Sequence, residues 1–191
     1  MRALTMTLFL ASFVLVTAGF ACAGTPNHPS QPPLKVVGAL EVDRYLGRWF
    51  EIAKLPNRFQ KGCDRAEAEY GRKEHGRLTV RNTCVEPNGK LRSILGEAWI
   101  PDTAGAPAKL KVSFLPDWLR FLGIGSPYWV VELDPDYQWS LVSEPGRKFM
   151  WILSRTPQLD RATWDRIQAV GREQGLPMEK LEFSRPDAVV D

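Results

Sequence analysis

Between residues 48 and 155 the chain runs in short apolar stretches, each ending at Gly, Pro, Asn or Asp. Within 64–72, Ala66, Ala68 and Tyr70 alternate with Glu67 and Glu69. Within 109–115, Leu110, Val112 and Phe114 alternate with Lys109, Lys111 and Ser113. A period of two marks a strand with one wet face. Eight such runs are predicted, at 48–55, 64–72, 77–85, 91–100, 109–115, 128–133, 138–143 and 149–155. The breaks at Lys73-Glu-His-Gly76 and Pro87-Asn-Gly89 are of hairpin length, so sequence neighbours should be spatial neighbours. A meander of this kind either leaves two open edges or closes on itself, and closure removes the edges. The predicted fold is therefore all-β, an eight-stranded up-and-down antiparallel β-barrel. A barrel of this size encloses one small ligand or is filled by its own side chains.

The period changes after the last strand. Across 160–175, Trp164, Ile167, Val170 and Gly171 fall on one helical stripe, with Asp165, Arg166, Arg172 and Glu173 elsewhere. Asp160 is a suitable N-cap and Gly175 a suitable stop, so one C-terminal α-helix is expected, packed on the outside of the barrel. Leu181-Glu-Phe183 is read as a short edge strand.

At the other end, Arg2 and the apolar run 4–18 have the charge and length of a secretory signal. A membrane helix that is never cleaved is the alternative. The chain thus divides into a signal peptide (1–21), a Pro-rich linker or tether (22–39), the barrel with its helix (40–186) and a tail (187–191). Two outcomes stand for export. Cleavage after Ala21 or Ala23 would release a soluble periplasmic protein. Lipoprotein processing would acylate Cys22 and anchor the chain to the outer membrane. Ala21, Cys22, Ala23 and Gly24 suit that processing, whereas Gly19 and Phe20 depart from the usual lipobox.

Three cysteines leave one unpaired in an exported chain. With Cys22 acylated or removed, Cys63 and Cys84 remain, and an oxidising compartment favours a bridge between them over two buried thiols. Strict alternation from Ala66 sets Cys63 on the outer face while Cys84 shares the parity of Leu78 and Val80, a mismatch that a kink at Gly62 would absorb. The net charge of +3 is spread among mixed signs, with no basic run of the kind that marks a nucleic-acid partner. The two histidines, His28 and His75, fall in the linker and in a turn. No nucleophile with a base, no metal cage and no cofactor site is expected, and Glu67 and Glu69 should face solvent.

Three motifs in order carry a family resemblance. Gly47-Arg-Trp-Phe-Glu-Ile-Ala53 resembles the Gly-x-Trp signature that opens the first lipocalin strand. Leu133-Asp-Pro-Asp-Tyr137 is similar to the second motif, with Pro135 and a missing Thr as departures. Trp151-Ile-Leu-Ser-Arg-Thr-Pro157 is similar to the third. The resemblance covers 40–183 and is nearest to bacterial outer-membrane lipocalins and apolipoprotein D-like proteins. It implies a non-enzymatic carrier for fatty acids or lysophospholipids, with a role in envelope lipid storage, transport or repair. A closed barrel would bring Trp49 and Arg155 together, sealing one end by a guanidinium on an indole. By inward parity the pocket walls would be Ala66, Ala68, Tyr70, Leu78, Val80, Leu110, Val112 and Phe114, with Trp151 from the last strand. At the open end Trp118, Leu119, Phe121, Leu122 and Ile124 would form an apolar patch that meets a membrane surface or a lipid tail, or else fold inward as a plug. An acyl chain at a homodimer interface, a lipocalin-fold enzyme acting on a lipid-like substrate and a filled barrel used only for interaction remain open alternatives.

Overall fold

The computed structural model describes residues 31–191. The signal segment, Cys22 and the linker up to residue 30 lie outside the described residues. Eight strands form the wall: β1 (Gly47–Lys54), β2 (Arg65–Arg72), β3 (Leu78–Val85), β4 (Leu91–Trp99), β5 (Lys109–Ser113), β6 (Ser126–Leu133), β7 (Trp139–Ser143) and β8 (Met150–Ser154). Each pairs antiparallel with the next and β8 returns to β1, so the sheet closes. A one-turn helix, α1 (Val42–Tyr45), precedes the barrel; β9 (Leu159–Asp160), α2 (Arg161–Glu173), β10 (Glu182–Phe183) and β11 (Val189–Val190) follow it.

Two apolar layers result from the alternation. Along β8, Trp151 and Leu153 belong to the interior with Trp49, Val80 and Leu110, whereas Met150 and Ile152 belong to an outer layer with Trp164 and Ile167 of α2. Strands β7 and β8 are therefore buried on both faces, which is why Met150–Leu153 of β8 reads as an unbroken apolar run rather than an alternating one, and why β7 buries Ser140 and Ser143 along with its apolar residues. Helix α2 begins where the Asp160 side chain accepts the Thr163 N–H at 2.8 Å. It ends at Gly175, whose φ of 68° suits only the left-handed region, and whose N–H donates to the Arg172 carbonyl.

The chain ahead of α1 is packed rather than loose over residues 32–40. Leu34 is buried in the outer layer, the Val37 N–H donates to the Val130 carbonyl, and Leu40 is buried against the interior. This strap runs the length of the barrel, from Pro32, whose carbonyl accepts from Arg147 between β7 and β8, to α1 at the opposite end. The last residues are equally engaged. Ala188 is buried and β11 pairs in parallel with β9. The sequence pattern missed both segments because each is too short to show a period.

Candidate ligand site

One end of the barrel is sealed. Trp49 is fully buried, and the Arg155 guanidinium lies 3.8 Å from the centre of its indole. That guanidinium also donates to the carbonyls of Arg48 (2.8 Å), Arg44 (2.7 Å) and Tyr137. One side chain thus ties β1, α1 and the β6–β7 turn, and the Trp49 N–H completes the seal by donating to the Tyr45 carbonyl. The β6–β7 turn holds its shape without the expected Thr. The Asp134 carboxylate accepts the N–H groups of Asp136 and Gln138, while Arg44 stacks on Tyr137. Partial burial pulls the Arg155 pKa below its usual value.

Above this seal lies a chain of hydroxyls. Ser140 bonds to Tyr45 (3.2 Å), Tyr45 to Tyr128 (3.0 Å) and Tyr128 to Tyr70 (2.8 Å). Desolvation raises the pKa of all three tyrosines, so the chain is neutral. Four hydroxyl hydrogens serve three links, which leaves one free to point elsewhere. Only Tyr70 was anticipated as a wall residue. Tyr45 lies outside the strand pattern, while Ser140 and Tyr128 sit in strands whose alternation was obscure.

The walls change character from this floor to the mouth. Ala68, Tyr70, Leu78, Val80 and Leu110 are buried, Val112, Ala66 and Trp151 are half-buried, and Phe114 is 38% exposed. Cross-strand pairing puts Ala68 opposite Asn82, and Asn82 opposite Ile94, which is 51% exposed. The β3–β4 hairpin reaches past β5, which pairs with β4 only through Glu97–Trp99. Gly96 accommodates Phe114: a Cβ there would lie 2.6 Å from its ring. A ring of Phe114 at the lip, rather than deep in the wall, follows from β5 ending at Ser113.

The rim is apolar and exposed. Trp118, Phe121, Leu122 and Ile124 are exposed, Trp118 by 73% and Phe121 by 80%, so this loop does not fold inward as a plug; Leu119 is half-buried beneath them. Phe59, in the β1–β2 loop, is exposed at the same end of the barrel. It leads through Phe149 (5.8 Å between ring centres) to Trp151, stacked at 6.3 Å, an aromatic path from rim to wall. The Trp151 N–H donates to the Gln60 side-chain oxygen, and the Gln60 amide donates to Glu51. Phe59 and Gln60 escaped the sequence reading because they lie in a turn, where no period operates; Phe149, read as the first residue of the strand at 149–155, lies just ahead of β8, and its place beside Trp151 was not anticipated.

Cys63 and Cys84 form a disulfide at this end, with Cα atoms 5.4 Å apart. The parity mismatch disappears because β2 starts only at Arg65; Gly62, at φ 81°, turns the chain so that Cys63 reaches Cys84. Glu67 and Glu69 are on the outer face, Glu67 paired with Arg48. Among the described residues there is no group of three or more His, Cys, Asp and Glu placed to hold a metal ion.

A closed antiparallel barrel with one sealed end, one open apolar end and a helix on its flank defines the class of small up-and-down β-barrels. Residues 40–186 match the lipocalin-like domain, and the chain belongs to the lipocalin family, whose members bind small hydrophobic ligands and are generally binding and transport proteins. It is 40% identical over 151 residues to temperature-induced lipocalin-1 of Arabidopsis thaliana, covering 78% of this chain and 80% of that one. It is 34% identical over 168 residues to the outer membrane lipoprotein Blc of Escherichia coli (strain K12), covering 86% and 90%. It is also 32% identical over 190 residues to mouse apolipoprotein D, covering 93% of each. Among solved structures, insecticyanin of Manduca sexta matches with a TM-score of 0.60 at 21% identity, over 84% of this chain and 89% of that one, a likeness of fold.

Proposed function

We propose that this chain binds fatty acids or lysophospholipids in its lumen and stores or transports them in the bacterial cell envelope. The observation that carries the reading is the gradient along the inner face, from a sealed, hydrogen-bonded floor to an open, apolar lip continuous with exposed aromatic residues. An acyl chain fits the apolar walls and its polar head the rim. Native mass spectrometry of the purified protein tests it. A co-purifying or readily exchanged single-chain lipid is the expected result. A protein that stays ligand-free with lysophospholipid and fatty acid added in excess overturns the reading.

The rim patch is proposed to meet a membrane surface. Nine residues lie between Cys22 and Pro32, whose carbonyl is bonded at the open end. If Cys22 is acylated, that tether spans at most roughly 35 Å, which keeps the mouth near the leaflet holding the anchor. Relatives named outer membrane lipoprotein support an exported envelope protein of this kind. Changing Trp118 and Phe121 together to Ser should weaken sedimentation with liposomes while leaving the thermal transition nearly unchanged. Undiminished sedimentation would refute membrane contact through this patch.

A further inference from the structure

The barrel wall has a seam beside the mouth. The β1–β2 ladder stops at Phe50 opposite Glu67, although both strands continue. Beyond that point each is held by a different neighbour. Strand β1, with a register shift between Glu51 and Ala53 in its pairing with β8, takes Phe183 and Glu182 of β10 on its other edge, and Ser184 donates to the Ile52 carbonyl. Arg65 and Ala66 of β2 stay with β3, which the Cys63–Cys84 disulfide fastens. The strands therefore part, and a cleft of about 380 Å³ lies between them.

The lining of this cleft joins two surfaces that a barrel wall normally separates. Phe50, Val85 and Leu91 offer it apolar contacts from the outer face. Ala66 and Glu51 also line it, yet both have inward parity, Ala66 opposite Cys84 and Glu51 opposite Leu153. Charge is asymmetric as well: the cleft is bordered by Arg48, Arg65 and Arg185 against Glu51 and Glu67. Arg48 is committed to Glu67, and Arg185 is held at two points by Asp187. Glu51 is turned to Ser184 and Gln60, and its burial favours the uncharged form. Arg65 is exposed and has no acidic partner among the described residues.

We propose that this seam is a lateral port and second ligand site, in which Arg65 holds the anionic head of a single-chain amphiphile while the apolar chain passes Ala66 into the lumen. The port rests on the lumen reading above. It differs in where the head sits, at the side of the barrel rather than at its rim. The head is a carboxylate or a phosphate, since an unpaired guanidinium donates to either through paired N–H groups.

Backbone amide shifts of the ¹⁵N-labelled, delipidated protein test it, with dodecanoate, dodecyl phosphate, dodecanol and inorganic phosphate as separate titrants. Dodecanoate, dodecyl phosphate or both should move Phe50, Arg65 and Ala66 together with Leu78 and Val80, whichever head is preferred being identified by the tighter titration. Dodecanol should move Leu78 and Val80 alone. Arg65→Glu, with Arg65→Gln as a milder variant, should weaken the anionic amphiphile by about tenfold or more and leave dodecanol unchanged. Anionic amphiphiles that move only the lumen residues, with an unaltered Arg65→Glu titration, overturn the port and leave the lumen reading intact. Shifts at Arg65 without any at Leu78 or Val80 overturn the passage through the wall. Inorganic phosphate that binds as tightly as either amphiphile overturns it too, because the chain would then contribute nothing. Silence from all three amphiphiles overturns the lumen reading and the port with it.

Discussion

At the scale of single residues, the sealed end depends on one guanidinium with several duties. Arg155 stacks on Trp49 and serves three carbonyls, geometry that an ammonium cannot reproduce. Arg155→Lys is expected to cost about 1–3 kcal/mol, measured by urea denaturation, because it weakens the stacking and leaves carbonyls unserved. Glu51 makes a prediction of opposite character. Its burial raises its pKa, although Ser184 and Gln60 donate to it and Lys54 is nearby. A folded-state pKa above the unfolded value means that this group's contribution is fully present below about pH 4 and is lost as pH rises through the folded pKa. Glu51→Gln should therefore raise the melting temperature relative to the parent at pH 8 and lose that advantage by pH 4. A constant difference across that range, followed by calorimetry, would refute the assignment.

At the scale of elements, the helix is anchored by its cap and by close contact with the chain that follows. Asp160→Ala removes the acceptor for Thr163 and should cost about 1 kcal/mol, read from the denaturant midpoint. Burial is not what lowers the Asp160 pKa; the Thr163 N–H does so, and this stabilisation is lost as pH falls through its depressed folded value. Gly171 is a stricter case. A Cβ there would lie 2.2 Å from the Met178 sulfur, so Gly171→Val should displace the Met178 side chain from α2 and lower the denaturant midpoint. The strand pattern and helix were legible in the sequence because alternation and the 3.6-residue stripe extend over many residues, and all eight strands fall within two residues of their expected bounds. The wall residues on β2, β3 and β5 were legible for the same reason. The floor and rim were not. Tyr45 sits in a one-turn helix and Phe59 and Gln60 in a turn, and Tyr128 and Ser140 act through distances across the lumen, none of which leaves a local period.

At the scale of the molecule, dense hydrogen bonding and exposed apolar surface are segregated to opposite ends. The disulfide tempers this by fastening the β1–β2 loop to β3 at the mouth across a sequence separation of 21 residues. Replacing both Cys63 and Cys84 with Ser is expected to cost about 3 kcal/mol by the chain-entropy argument, measured as a fall in the urea midpoint under oxidising conditions. The closed end, with its own contacts, should keep its hydrogen-exchange protection in the native state of that variant while the mouth loses part of it.

Strand β10 has a consequence for self-assembly. Phe183, Glu182 and Ser184 occupy the backbone groups on the edge of β1 that β2 leaves behind. A chain ending at Leu181 would present that edge, unpaired, to the next molecule. Such a truncated chain should form concentration-dependent edge-to-edge oligomers in sedimentation-velocity experiments at conditions where the full chain does not. Proteolytic trimming of ten residues would then do more than shorten the protein: it would turn a barrel whose own chain covers its open edge into a seed for aggregation.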